Sequence, residues 1–308
     1  MALVRFVRKC GLAGSAARYW DRQFQVAEPP KPSGWLEMEL IEKEYIRPQV
    51  SGDREVYYLT YFANTRLGHI PVKRVLSLGC GGGNLERALA SMGVSQRIDG
   101  IDISKESIQY SRERAKTEGL DDRLVYGVQD INSIKLPERF YDCVIAKMSI
   151  HHVQELEHVF DEVRDSLKPD GVFMLNEYVG PNRFQWTDDQ LNYANQMFGQ
   201  LPDRIRKAAP VLRIYRPTIK DMLAADPSEA VRSADILHVL RKKFQIIEYK
   251  PYGGTILQLV LMHTAALFDM REERDRDQLR EMCGTEKQLI SQGKLGSDFA
   301  YIVAKLYP

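Results

Sequence analysis

The chain of 308 residues has almost no net charge: 43 Lys and Arg stand against 42 Asp and Glu, a formal balance of +1. No global field therefore gathers nucleic acid. Only four cysteines occur, Cys10, Cys80, Cys143 and Cys283, and none belongs to a C-x-x-C pair. That removes a zinc ribbon and a thioredoxin-type redox motif. Scattered single thiols suit a reducing compartment, so a cytoplasmic location is expected. No apolar run approaches the ~20 residues a bilayer span needs; the best, Ile256–Leu261, is broken by Gln258 and followed by His263. No internal repeat or low-complexity tract is present. An apolar share of 44% and a charged share of 28% exclude a disordered, collagen-like or coiled-coil chain. The length allows one large domain or two small ones, and a core that needs no disulfide or metal staple.

What is there divides into three stretches. Residues 1–72 are aromatic and irregular. The first twenty carry Arg5, Arg8, Lys9 and Arg18 and no acid. They lack the Ser-rich character of a transit peptide and read as an amphipathic helix packed on the domain or over its mouth. Glu28–Gly34 is a loop by composition, Trp35–Tyr45 and Arg54–Leu67 are helical, and Pro71 closes this cap segment. Residues 73–180 alternate strands and helices: strands at Arg74–Leu78, Arg97–Ile103, Leu124–Val128, Tyr141–Ala146 and Val172–Glu177, with helices at Asn84–Ser91, from Ser104 to about Glu118, and at Leu156–Leu167. Asn84 and Ser104 are the expected N-caps, Gly119 a C-terminal stop, and Lys168-Pro169-Asp170-Gly171 another. Such alternation means an α/β fold, a parallel sheet with helices on both faces. Residues 181–242 are mainly helical with repeated prolines, too long for a simple crossover and a candidate lid. A sixth strand at Phe244–Tyr249, helices within Thr255–Gln292 and a seventh strand at Phe299–Leu306 complete the chain.

Chemistry concentrates at the strand ends. Leu78-Gly79-Cys80-Gly81-Gly82-Gly83-Asn84 joins the first strand to the first helix, where an open α/β sheet binds its ligand. Glycines there let a ligand approach backbone closely, and the helix N-terminus offers free N–H groups. Glycine at 79, 81 and 83 is G-x-G-x-G; the dinucleotide fingerprint would need glycine at 84, and the Gly-Lys-Ser/Thr of a Walker loop is absent. Asp102 ends the second strand, 23 positions beyond Gly79, placed to accept from ribose hydroxyls. Alternation turns its competitor Asp99 to the opposite face. Asp130, after the third strand, is placed to accept from an exocyclic adenine amine.

These segments, together with Tyr141–Ala146, Ile150-His151-His152-Val153 and Leu167–Gly171, resemble the class I S-adenosylmethionine-dependent methyltransferases over about residues 73–180. The subgroup is most similar to small-molecule enzymes such as the quinone-biosynthesis methyltransferases. The resemblance implies a Rossmann-like, seven-stranded, mostly parallel sheet whose last strand inserts antiparallel. It implies S-adenosyl-L-methionine as cofactor and S-adenosyl-L-homocysteine as product. It implies that Gly79, Gly81 and Gly83 frame the methionine moiety, and that Asp102 binds the ribose with Ile103 against the adenine. Asp130 receives the adenine amine, Ile131 lines the base, and Lys147 and Met148 face the reacting end.

Methyl transfer is an in-line displacement in which the protein positions a nucleophile and manages its proton. A hydroxyl acceptor needs a base near strands four and five. His151 and His152 stand there, only one of them inward by alternation, and Glu177 ends strand five; these are the candidate catalytic residues. Tyr178, Asn182 and Trp186, with Tyr19 and Trp20 from the N-terminal segment, are candidate acceptor-binding residues, and Trp35 a further cover or a packing anchor. No carboxylate cluster of the kind that holds a metal is evident, so no metal is expected. The reading is methyl transfer to a small molecule, foremost at a hydroxyl oxygen, without nucleic acid or a membrane span. The helical insertion serves as lid, homodimer surface or both. The alternatives are an NAD(P)-dependent oxidoreductase, which the glycine spacing disfavours, a nucleic-acid methyltransferase, which the neutral charge disfavours, and a cofactor-binding partner subunit without chemistry.

Overall fold

A computed structural model describes residues 16–21, 34–67 and 72–308. Residues 1–15 of the expected N-terminal helix, most of the 28–34 loop and Pro71 lie outside the described residues, and residues 16–21 are helical. Seven strands, β1 Val72–Leu78, β2 Ser95–Asp102, β3 Leu124–Val128, β4 Tyr141–Lys147, β5 Leu167–Tyr178, β6 Gln245–Gly253 and β7 Phe299–Lys305, form one sheet in the order β3-β2-β1-β4-β5-β7-β6. The first five are parallel, and β7 runs antiparallel between β5 and β6. The helices after β1 are α1 Asn84–Ser91, α2 Lys105–Thr117, α3 Leu156–Ser166, α4 Asp188–Gly199, α5 Asp203–Ala208, α6 Ile219–Ala225, α7 Ile236–Lys243, α8 Leu257–Thr264 and α9 Glu273–Ser291.

The period of two along each strand divides the core between the faces of the sheet. Leu76, Val144, Ala146, Phe173, Leu175, Ile302 and Ala304 pack with Val159, Phe160 and Val163 of α3 and Val239 and Leu240 of α7. Their neighbours Val75, Cys143, Ile145, Met174, Tyr301 and Val303 turn to the other face and join α1, α2, α4, α8, α9 and the N-terminal segment. The strands therefore read as near-continuous apolar runs, as expected of a sheet covered on both sides. Strand order reverses between β1 and β4, which opens a crevice at the carboxyl ends of those two strands.

Two local expectations are corrected. Gly83, with φ of 74°, occupies the N-cap of α1, and Asn84 is its first helical residue. A left-handed cap suits glycine better than asparagine's side chain suits the task here. Lys168-Pro169-Asp170-Gly171 does not separate helix from strand: β5 already starts at Leu167, opposite Tyr141, and the four residues bulge before pairing resumes at Cys143 and Val172. The Ser104 cap holds, its side chain accepting from Ser107 N–H.

The N-terminal segment is built into the core. Glu39–Ile41, a π-helical turn Glu42–Ile46 and Arg47–Val50 run on from one another, followed by Tyr58–Phe62 and Ala63–Leu67. Trp35 is wholly buried against Tyr45, Tyr252 and Phe299, so it anchors the segment and does not cover the site. Glu286 of α9 locks this corner, accepting from Gly254, Ile256 and Leu257 N–H and from the Tyr45 hydroxyl at 2.7–2.9 Å. Glu286→Ala strands four buried donors, so a loss of roughly 3 kcal/mol or more is expected in denaturant unfolding, with the far-ultraviolet helix signal kept.

Candidate active site

A cavity of about 240 Å³ lies in the crevice at the carboxyl ends of the parallel strands. The glycine loop forms one wall. Gly79, Gly81 and Gly83 have φ of 68°, 50° and 74°. A Cβ on Gly79 would stand 2.4 Å from the Ser149 Cβ, and one on Gly83 would stand 2.7 Å from the Tyr126 hydroxyl. Gly79 and Gly81 line the cavity; Gly83 turns inward and serves the packing of α1.

Asp102, at the end of β2, braces the loop. One carboxylate oxygen accepts from Gly81 N–H at 2.9 Å and the other from Ser104 N–H at 2.9 Å. Burial raises its pKa, against the lowering effect of these N–H groups. The carboxylate faces the cavity beside Ile103. Asp99 is turned away, paired with Arg74 and Arg97 at 3.7 and 3.2 Å. Asp130 and Ile131 line the cavity as expected, and Asp130 also accepts from the Asn132 backbone at 2.9 Å. Beneath the loop, Glu86 of α1 is wholly buried with no partner in hydrogen-bond geometry; burial pushes its carboxyl up to about 7, against partial offsets from Ser77, Arg87 and Lys147.

The opposite wall comes from the turn after β4. Met148 takes a left-handed φ of 49°, and Ser149 donates its hydroxyl to Leu78 C=O at 2.7 Å. Glu177, at the end of β5, organises the rest of this turn. One of its oxygens accepts from Ser149 and Ile150 N–H at 2.8 and 2.7 Å, and the other accepts from Tyr178 N–H at 2.7 Å and pairs with His151 Nδ1. Burial works against charge on His151, but the adjoining Glu177 carboxylate outweighs it and raises the pKa to about 9. His152 is held well below 6.5, first by burial and then by the neighbouring His151. His152 lines the cavity, with the edge of Trp20 against its ring at 5.2 Å between centroids.

The segment after α6 closes over these histidines. Val231 N–H donates to His151 C=O at 3.0 Å, and Arg183 Nη1 donates to Pro227 and Glu229 C=O at 2.6 and 3.0 Å. Ser228 Oγ lies 3.2 Å from His152 Nδ1, and Glu229 Oε1 lies 3.6 Å from His151 Nε2. Burial raises the Glu229 pKa although His151 opposes it.

Of the residues singled out in the sequence, the fold gathers Trp20, Gly79, Gly81, Asp102, Ile103, Asp130, Ile131, Met148 and His152 on one cavity. The rest stand apart from it. His151 and Glu177 lie behind the wall, where their side chains satisfy one another. Lys147 is exposed at the end of β4. Tyr178 is buried and donates to Pro181 C=O, Trp186 stacks on Phe184, and Asn182 accepts from Ala234 N–H. Tyr19 packs edge-on against Trp20. Sequence reasoning missed Asp226, Ser228 and Glu229. Ser228 meets His152 across 76 positions, so no spacing signal could have linked them.

Comparison with known proteins shows the family. Residues 71–243, more than half of the chain, match the model of the methyltransferase domain family. The chain belongs to this family, a class of S-adenosylmethionine-dependent methyltransferases. It is 30% identical over 125 residues to the 27-O-demethylrifamycin SV methyltransferase of Amycolatopsis mediterranei, a match covering 38% of this chain and 46% of that protein. It is 29% identical over 129 residues to a sterol 24-C-methyltransferase of Gibberella zeae, covering 42% of this chain and 34% of that protein. The matches thus span between a third and a half of these relatives' lengths. The solved geranyl diphosphate C-methyltransferase of Streptomyces coelicolor shares the fold with a TM-score of 0.54 at 14% identity, covering 96% of this chain and 98% of that one.

Glu86 gives this site a pH signature. Its folded pKa of about 7 exceeds that of an exposed carboxylate, so its contribution favours folding below about pH 4.5 and is lost as pH rises through about 7. Between those limits the wild-type chain is expected to lose on the order of 3 kcal/mol that Glu86→Gln retains. Denaturant unfolding of both chains at about pH 4.5 and 8 measures the difference.

Proposed function

We propose that the chain transfers the methyl group of S-adenosylmethionine to a hydroxyl oxygen of a small acceptor seated beside His152. The observation that carries this is a shared cavity: the glycine loop, Asp102 and Asp130 line one side, and Met148, His152 and Trp20 line the other. The residues fit the cofactor. Asp102 turns a carboxylate towards the cavity at the ribose position, and Gly79 and Gly81 line the cavity with backbone that carries no side chain. Asp130 and Ile131 hold the base. When bound, the cofactor supplies an electrophilic methyl group on a sulfonium.

The remaining work falls to the chain's own side chains. His152 stands on the cavity wall, where an acceptor hydroxyl can pass it a proton as the nucleophile forms. Glu177 and His151 are positioning residues: they hold the turn that presents His152. Trp20 and Met148 offer an apolar surface that excludes water and suits an aromatic or otherwise apolar acceptor. The segment over residues 181–242, which includes Pro227 and Ser228 on the cavity, serves as the lid, and Ala16 and Trp20 add to the cover from the N-terminal side.

Calorimetric titration with S-adenosylhomocysteine tests the cofactor assignment, with NAD(H) as the control. Micromolar binding is expected, weakened at least tenfold in Asp102→Ala; tighter NAD(H) binding would sink the reading. With labelled methyl donor and a panel of hydroxylated acceptors, His152→Ala is expected to lower kcat by about 100-fold or more while S-adenosylhomocysteine binding stays within a few-fold. Methyl transfer to carbon or nitrogen acceptors with His152→Ala unimpaired would replace the oxygen assignment.

A further inference from the structure

We infer that His151, His152 and Glu229 form a binding site for one divalent transition-metal ion at the wall of the acceptor chamber. Each of the three offers a ligand atom, and these atoms all lie within 4.8 Å of one another. The site itself stands independently of the cofactor; only its role towards an acceptor rests on the methyl-transfer reading.

The spacing is the first argument. His151 Nε2 and Glu229 Oε1 are 3.6 Å apart, beyond a direct hydrogen bond. Two ligands each about 2.0–2.2 Å from a tetrahedral ion stand roughly 3.4 Å from one another. The pair is therefore set at the separation of atoms that share an ion. The second argument is the far side of His151. Its Nδ1 is engaged by the buried Glu177 carboxylate, which leaves Nε2 facing Glu229. A histidine whose other ring nitrogen is held by a carboxylate is the usual arrangement behind a metal ligand.

The third argument is an acid beside the site, outside the three ligands, with one oxygen bare. Asp226 is 3% exposed, and its Oδ2 has no hydrogen-bond partner although it lies 3.7 Å from His152 Nδ1. Its other oxygen accepts from Ser228 N–H and Oγ, at 2.8 and 2.7 Å. A buried carboxylate oxygen left bare is costly unless a cation or proton reaches it. Arg183 lies near these acids, but its Nη1 is committed to the Pro227 and Glu229 carbonyls. The same bonds, with that of Val231 N–H to His151 C=O, fix the segment carrying Asp226 and Glu229 against the histidine turn.

Two imidazoles and one carboxylate favour zinc, cobalt or iron(II) over magnesium or calcium, which prefer all-oxygen shells. Three protein ligands leave a position open, the pattern of a site that acts on a bound molecule. Of the three ligands His152 lies on the cavity and His151 and Glu229 stand behind it, so an acceptor would approach the ion from the His152 side. On binding, a proton carried at His151 Nε2 leaves to solvent. With an ion there, both histidines are ligands and the ion, as a Lewis acid, lowers the pKa of the acceptor hydroxyl in place of proton transfer to His152, so the base role given above to His152 is that of the metal-free chain.

The test uses the full chain, stripped with a chelator and titrated with Co²⁺ while its visible d–d absorption is followed. Saturation at one equivalent is expected, bleached by one equivalent of Zn²⁺. Glu229→Gln and His152→Asn should each weaken Co²⁺ binding at least tenfold, with unfolding midpoints confirming that both fold. Glu273→Gln, on an exposed part of α9, should leave it unchanged. S-adenosylhomocysteine binding is measured on the same samples. S-adenosylhomocysteine binding without a stoichiometric cobalt signal overturns the metal site and leaves the methyl-transfer reading standing. Cobalt binding without S-adenosylhomocysteine binding does the reverse. Wild-type cobalt affinity in both site variants overturns the assignment of these ligands.

Discussion

The site depends on the burial of one carboxylate. Glu177 is wholly enclosed at the end of β5 and receives three backbone N–H groups and a histidine ring. A buried charge is tolerable only when so paired, and hydrogen bonds to an ionised acceptor are the strong ones. Meeting that requirement ties the end of β4 to the end of β5 and dictates the course of the turn between them. It also divides the labour of two adjacent histidines. His151 is drawn behind the wall as Glu177's partner, and His152 is left facing the cavity.

Ser149 carries the constraint across to the cofactor side. Its N–H belongs to Glu177, its hydroxyl belongs to Leu78 C=O, and its Cβ occupies the space a side chain at Gly79 would take. The glycine loop and the histidine turn are thus two faces of a single packing problem, met where β1 and β4 part. Asp102 completes it from the next strand, bracing Gly81 and the start of α2 with opposite oxygens. The crevice expected of any doubly wound sheet becomes a shaped chamber because these three contacts remove its freedom.

Cover for the chamber comes from parts of the chain remote in sequence. Residues 16–21 bring Trp20 against His152, and Asp21 accepts from the Ser104 hydroxyl at 2.6 Å. The 226–231 segment brings two carboxylates to the histidines. The two histidines therefore lie between a carboxylate behind and carboxylates in front, and this sandwich gives the site its capacity for a proton or a cation.

The sequence by itself determined the sheet, the family and the strand-end residues that line the cavity. Those features are local: alternating apolar periods, a glycine loop directly after a strand, and acids at the ends of the next two strands. Gly79, Asp102 and Asp130 reach one cavity because each sits at a carboxyl end of a parallel sheet, and strand order alone ensures that. Tertiary structure decided which histidine faces the cavity, that Glu177 is enclosed against His151 and three backbone N–H groups, and that Tyr178, Asn182 and Trp186 are engaged by other parts of the chain. It decided the meeting of His151 with Glu229 as well. Those outcomes turn on non-local demands, the pairing of buried charge and the return of a helical insertion over the strand ends, and neither demand leaves a period or a spacing in the chain.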